Sequence, residues 1–383
     1  MPMQDNYLGM LIKMKRLSNN WSQEDLCNGI CAVSYLSKIE QCKVAASPEI
    51  LDLLIKKLNI EVIDDPEVVE PGKQLVNRLY DAIFLCNFKE RDSLYNELTK
   101  SYAELINTPL MIDIMVIRSC KLKTVDPVLT EFQELFNDRQ LKLYLVASEQ
   151  CSELIRRFPS AFASISCAQI QYRVGDYTKA IDNATAGYDM AARNGEVYIM
   201  LLAQSIIGTS YCCVSDYKSM LEHYAIAERI AKQLGAESAM SHVQYNIAAS
   251  ALASGDYEIA YDFFSKVSPS VMAYHKYAIA CEKLGKIDEA KRLVDLAFEM
   301  PCKGEDEKLS HEMLEIVKYR LHNPEYLKHD QYGDMLLTTF ERITEELPRG
   351  FALFHVPWVI EWYKAQRQYK QAFELMVEFT NIL

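Results

Sequence analysis

Three tripeptides, Gly175-Asp176-Tyr177, Ser215-Asp216-Tyr217 and Gly255-Asp256-Tyr257, follow one another at 40-residue intervals. Gly285-Lys286-Ile287 comes 30 residues later, and Tyr326 and Tyr369 continue the series at 39 and 43. A repeat of this length marks a solenoid, in which each unit buries its apolar side against its neighbours. Ala180, Met220, Ala260, Ala290 and Ala372 each stand three residues after the Tyr or Ile. Twelve residues before the first four lie Ala168, Gly208, Ala248 and Ala278. Small residues in both places let the two helices of a unit approach closely. Less regular units are expected around Phe88 and Val128, for about seven helix pairs from Gln74 onward. With 13 Gly and 12 Pro in 383 residues, turns are few and long helices are favoured. The expectation is an all-α chain.

The pattern resembles the tetratricopeptide (TPR) family, with units longer than the usual repeat of about 34 residues. That resemblance implies a right-handed α-solenoid whose first helices line a concave face. Counted from the small positions, this face holds Gln169, Tyr172, Arg173, Ser205, Thr209, His242, Tyr245, Asn246, His275 and Lys276. Amides, hydroxyls and aromatics on rigid helices suit an extended peptide, whose backbone needs partners at fixed spacing. Asn246 leads this set, because one amide both donates and accepts.

The first sixty residues follow a different plan. Asn6–Ser18 places Leu8, Leu11 and Ile12 on one helical face. Ser22 is positioned to cap a short helix with two acids in its first turn. A second short helix follows from Ala32, with Leu36 and Ile39 inward, and Ser47-Pro48 starts another. Two short helices around a tight turn form a helix-turn-helix. Val33, Ser34, Tyr35, Ser37 and Lys38 then reach base edges in the major groove of double-stranded DNA. Gln23 and Lys43 meet phosphates, with Lys13, Lys15 and Arg16 as further candidates.

The stretch WSQEDLCNGICAVSYLSKIE resembles the XRE (Cro/C1-type) helix-turn-helix, and more narrowly the variant found in PlcR, PrgX and Rgg regulators. Two positions depart from the pattern: Ala32 replaces a hydroxyl N-cap, and Cys42 replaces a Gly that closes the helix. Charge follows the same division. Residues 1–60 carry seven basic and six acidic side chains, whereas the whole chain has a formal charge of −12. An acidic body excludes a protein that embraces nucleic acid along its whole surface, and leaves the head free to bind it.

Residues 61–73 (EVIDDPEVVEPGK) are acidic, hold two Pro and read as a linker. The chain thus divides into a DNA-binding head (1–60), a linker (61–73) and a repeat domain (74–383). Eleven scattered Cys without a C-x-x-C pair indicate a reducing cytoplasm rather than a metal site. Val197–Ser215 lacks charge over 19 residues but keeps the repeat register, so a buried helix is expected there and not a membrane span. The start of the chain lacks the pattern of a signal peptide. No phosphate loop, nucleophile elbow or paired acid–base motif appears, so neither an enzyme nor a cofactor is expected. Eight aromatics between Gly350 and Leu383 suggest a dimer interface in the last repeats.

A helix-turn-helix ahead of TPR-like repeats resembles the RRNPP group of peptide-pheromone receptors. This implies a cytoplasmic, dimeric transcription regulator with a short signalling peptide as ligand. Two alternatives share the pattern: a phage arbitrium-type receptor of lysis versus lysogeny, and a TPR scaffold whose head does not bind DNA.

Overall fold

The computed structural model describes residues 6–214, 216–301, 305–347 and 349–380; the regular elements among them are all helical, 22 α-helices and two short 3-10 turns. They fall into two compact units, one ending at Ser166 and one beginning at Cys167.

The first unit opens with α1 (Asn6–Ser18), α2 (Gln23–Cys27), α3 (Val33–Glu40) and α4 (Pro48–Lys57). Local chemistry sets each start. The Asp25 amide donates to Ser22 Oγ at 3.1 Å, and the Ser22 amide donates back to the Asp25 carboxylate at 2.8 Å, so α2 begins in a reciprocal cap. That same hydroxyl, and then the Ser22 amide, hold the Asp25 carboxyl below its ordinary range. Ser47 caps α4 and Pro48 occupies its first position, where a missing N–H costs nothing. Met10, Leu11, Ile12, Leu26, Leu36 and Leu54 form the interior, each at 1% exposure or less.

Helix α3 starts without help. Ala32 has the extended backbone of an N-cap but no side chain to satisfy the first amides. Ala32→Ser is therefore expected to stabilise the head by about 1 kcal/mol. Amide exchange across residues 33–40 should slow accordingly; unchanged exchange would show that water already serves these amides equally well.

The expected linker is mostly helix. Asp65 accepts from the Glu67 amide and starts α5 (Pro66–Phe84), which takes in Pro71 and a buried Gly72. Two prolines read as breakers, yet Pro66 falls at the first helical position, and Pro71 forfeits only its bond to the carbonyl four residues back. Burial of Leu75, Val76, Leu79 and Ile83 on the same helix outweighs that loss. Only residues 61–65 stay outside helices. The unit continues through α6 (Phe88–Leu105), α7 (Met111–Leu122), α8 (Pro127–Glu131), α9 (Asp138–Ala147) and α10 (Cys151–Arg157). The division by contacts therefore falls a hundred residues beyond the expected boundary: Lys13 of the head pairs with Glu131, and in the segment that follows the Ile63 amide donates to the Asn107 carbonyl.

Helix α11 (Ala161–Val174) leads into the second unit. There the paired helices are α12 (Tyr177–Asn194), α13 (Val197–Cys213), α14 (Tyr217–Leu234), α15 (Glu237–Ser254) and α16 (Tyr257–Phe264). They continue as α17 (Val271–Lys283), α18 (Ile287–Phe298), α19 (Glu305–His322), α20 (Asp330–Glu346), α21 (Arg349–Ala365) and α22 (Tyr369–Thr380). The odd-numbered members are the first helices of the pairs. Gly175, Gly255 and Gly285 turn the chain between helices at φ of +85°, +88° and +73°. Ser215, the residue expected at the remaining turn, lies outside the described residues. Ala168, Ala180, Ala248, Ala260, Ala278 and Ala290 are all fully buried. At Gly208 a Cβ would lie 2.7 Å from the Tyr224 ring, so only glycine lets α13 and α14 close to this distance.

The uncharged helix α13 is part of this core, with Ile199, Leu201, Ala203 and Ile207 buried. Among the described residues no helix is long and apolar enough to cross a membrane. Most of the late aromatics are also internal: Trp358, Trp362 and Phe379 are buried, and Phe351, Phe354 and Tyr363 pack against the same core. Tyr369 and Phe373 on α22 are the exceptions, at 64% and 61% exposure.

Candidate functional site

Five of the residues expected to read DNA lie on α3. Leu36 and Ile39 anchor the helix in the core, which turns Val33, Ser34 and Lys38 outward as exposed side chains. Tyr35 and Ser37 are half-buried, and Ser37 Oγ accepts from Gln41 at 3.1 Å. Lys43 stands exposed just past the helix.

Three of the basic or amide candidates around it have other duties. Arg16 is buried and grips Glu40, itself 1% exposed, through Nε at 2.6 Å and a second nitrogen at 2.9 Å. Its third nitrogen donates to the Trp21 carbonyl. Gln23 donates to the same Glu40 carboxylate at 2.8 Å. Arg16 is thus an internal tie between α1 and α3 and not a phosphate contact, and Gln23 orients through Glu40. Lys13 is paired with Glu131. A signal was available for Arg16 and Glu40: each follows an apolar residue by four positions, Ile12 and Leu36, so two opposite charges continue two buried stripes.

The ten residues expected along the first helices separate into three groups. Ser205 and Thr209 bond to their own helix, to the carbonyls of Leu201 and Ser205, and Thr209 also meets Tyr224 Oη at 2.9 Å. Gln169 and His242 are exposed, and Tyr172 and Arg173 are half-buried near the end of α11. Tyr245 packs edge-on against Phe264 at 5.9 Å, so its role is core packing. Asn246 is half-buried against the Tyr224 hydroxyl, which Thr209 also engages, so its amide is turned to a neighbouring helix.

His275 and Lys276 are not open groove positions. Helix α21 lies against them: His275 is fully buried against Phe354, His355 and Trp358, at ring distances of 6.5, 5.9 and 6.2 Å. The Lys276 ammonium rests 3.3 Å from the centre of the Phe354 ring. Helical periodicity carries no information about a helix 75 residues away that covers both residues. Burial, then the charges of Lys276 and Arg320, keep His355 neutral, with its pKa pushed down to about 3. His275 is lowered by burial first and by the same neighbours after it.

A cleft of about 680 Å³ remains between the end of α11 and helices α20–α22, bordered by Arg173, Leu337, Glu341, Arg349, Tyr363 and Phe379. Only Arg173 of the ten expected residues lines it. Among the described residues no cluster of three or more His, Cys, Asp or Glu has the arrangement of a metal site.

Comparison with known proteins identifies the head and the fold. Residues 12–64 match the family HTH_3, described as Helix-turn-helix. A Rap protein solved in complex with Competence and Sporulation Factor aligns over 82% of this chain and 97% of its own, at a TM-score of 0.56 and 16% identity. Aspartyl phosphate phosphatase F from Bacillus subtilis aligns over 100% and 94%, at a TM-score of 0.48 and 15% identity. Bacillus thuringiensis PlcR in complex with the peptide PapR7 and DNA aligns over 75% and 99%, at a TM-score of 0.33 and 17% identity. No curated protein matches the sequence. At such identities the Rap likeness establishes a shared helical-repeat fold and nothing more. The chain carries an XRE-type helix-turn-helix domain followed by TPR-like repeats.

Proposed function

We propose that this protein is a cytoplasmic transcription regulator of the RRNPP type, in which the repeats bind a short signalling peptide and couple it to DNA binding. The observation that carries the reading is the helix-turn-helix domain with the polar face of α3 exposed and its apolar face locked in the core. The repeats support the second half. Their fold is that of a Rap protein seen with Competence and Sporulation Factor, and their first helices carry unsatisfied donors suited to a peptide.

The coupling works through geometry. A ligand that prefers one curvature of the repeats shifts the population of head positions, and heads matched to half-sites about 34 Å apart bind DNA. This mechanism needs two heads, so the active form is a homodimer; the exposed Tyr369 and Phe373 on α22 are the surface we assign to the contact in the last repeats. Small net charge on each head makes the same demand, since phosphate neutralisation supplies most of the affinity.

The test begins with duplexes selected by the protein from a random pool. In an electrophoretic shift at two salt concentrations, the Ser34→Ala/Lys38→Ala variant should bind the selected duplex about tenfold or more weakly. Equal binding by the variant would refute the regulator and favour a scaffold with a non-DNA-binding head.

A further inference from the structure

With His275 and Lys276 covered by α21, open space in the second unit lies instead in the cleft of about 680 Å³ at the start of that helix. Ligand sites in proteins typically occupy about 300–1,000 Å³, mostly apolar with a few convergent polar groups. The lining here has that character. Leu337 and Phe340 of α20, Val359 of α21, and Leu375 and Phe379 of α22 supply apolar side chains. Val174, at the end of α11, also lines it and is 63% exposed.

One polar group on this lining is incomplete. The Arg349 side chain is fixed by three contacts, beginning with its Cδ, which lies 2.8 Å from where a Cβ of Gly175 would stand. Its Nη2 donates to the Glu378 carbonyl at 3.0 Å, and its guanidinium lies 4.7 Å from the centre of the Phe379 ring. Its Nε is buried and has no acceptor. A guanidinium does not lose its proton in a protein, so this donor stays a donor. A buried donor without a partner is costly, and a ligand that brings an acceptor recovers that cost. Charge around the cleft balances, with Arg173 and Arg349 against Glu341 and Glu378. An acidic ligand would meet the two carboxylates, and a basic one the two guanidinium groups. An uncharged peptide main chain suits both signs, offering a carbonyl to Arg349 and N–H groups to the carboxylates.

We propose that this cleft binds an uncharged, apolar segment of the peptide, with a main-chain carbonyl on Arg349 Nε and a branched or aromatic side chain among Leu337, Phe340 and Leu375. The proposal rests on the peptide reading given above and adds to it a place and a chemistry. The place is the end of α11 together with α20–α22, and not the middle of the inner helices. The chemistry has two parts. Apolar contact supplies affinity for many side chains, and the unmet Nε donor selects those segments that present a carbonyl beside them.

The experiment uses immobilised full-length protein and three pools of random heptapeptides with acetylated and amidated ends, with retained peptides read by mass spectrometry. One pool lacks charged residues, one includes Asp and Glu, and one includes Lys and Arg. Wild type should retain peptides of the uncharged pool at least tenfold over either of the others. Val174→Trp puts an indole into the cleft from an exposed position, and Arg349→Met removes the donor; each should cut that retention about tenfold or more. Ile259→Trp, at a half-exposed position on α16 outside the lining, controls for a surface indole and should retain peptides as wild type does. Melting curves establish that each variant is folded. Retention at the wild-type level by either cleft variant refutes the cleft while peptide binding stands. A wild-type preference for either charged pool refutes the uncharged chemistry. If wild type enriches no peptide from any pool, the cleft and the peptide reading fail together.

Discussion

Glu40→Ala is expected to destabilise the head by about 3–5 kcal/mol, the usual cost of leaving a buried charge without its partner. Arg16 would keep its bond to the Trp21 carbonyl and lose two bonds to Glu40, and Gln23 would lose its acceptor as well. The tie between α1 and α3 would go with them, so the loss should reach DNA binding without any change on the reading face. Hydrogen exchange of residues 6–60 reports the effect on the head itself, apart from the unfolding of the rest of the chain. Protection that remains within about 1 kcal/mol of wild type would show that Arg16 finds water on its own. The double variant Arg16→Met/Glu40→Leu separates charge from packing: replacing both partners with apolar groups is expected to be near neutral. If it is as damaging as Glu40→Ala, the pair contributes through shape and not through charge.

Gly333→Ala should be nearly as severe, by overpacking. A Cβ there would stand 2.0 Å from one Trp362 ring carbon and 2.3 Å from another. Trp362 is buried against Tyr332, whose ring lies 5.9 Å away, so the indole has little room to retreat. The expected loss is about 3 kcal/mol, at the upper end for an added methyl group in a packed core. Trp362→Leu alone leaves a cavity and should also cost about 2–4 kcal/mol. Together the two should cost clearly less than their sum, because the new methyl group occupies space that the indole vacates. Thermal melts followed by circular dichroism measure all three; simple additivity would mean that α20 and α21 separate rather than repack.

The parts of this fold legible in the sequence are those specified by neighbours in the chain. Ser22 and Ser47 announce their helices, and the bounds of α1 follow from its apolar spacing. The small residues of the repeats read correctly too, because Ala168, Ala248 and Ala278 stand at a fixed distance before their turns. What was illegible depends on distant segments. Pro66 and Pro71 look like breaks until Leu75, Val76 and Leu79 are seen to be buried. Arg16 looks like a surface base until α3 brings Glu40 to it. His275 looks like a groove residue until α21 arrives. The outward positions of α3 needed no such information, since Leu36 and Ile39 alone decide which side of the helix is free.

Helix α21 ties together repeats that lie far apart in the chain. A Cβ at Gly350, near its start, would lie 3.1 Å from Cys213 Sγ and 3.6 Å from Tyr172 Oη. Eight residues on, Trp358 stacks beneath the Arg320 guanidinium at 4.1 Å. One helix, with Pro357 inside it, thus reaches from the ends of α11 and α13 to α19. Repeats tied at both ends to one helix cannot shift independently of one another without breaking a contact with it. A substitution that loosens α21 at either end should therefore be felt in repeats it does not touch.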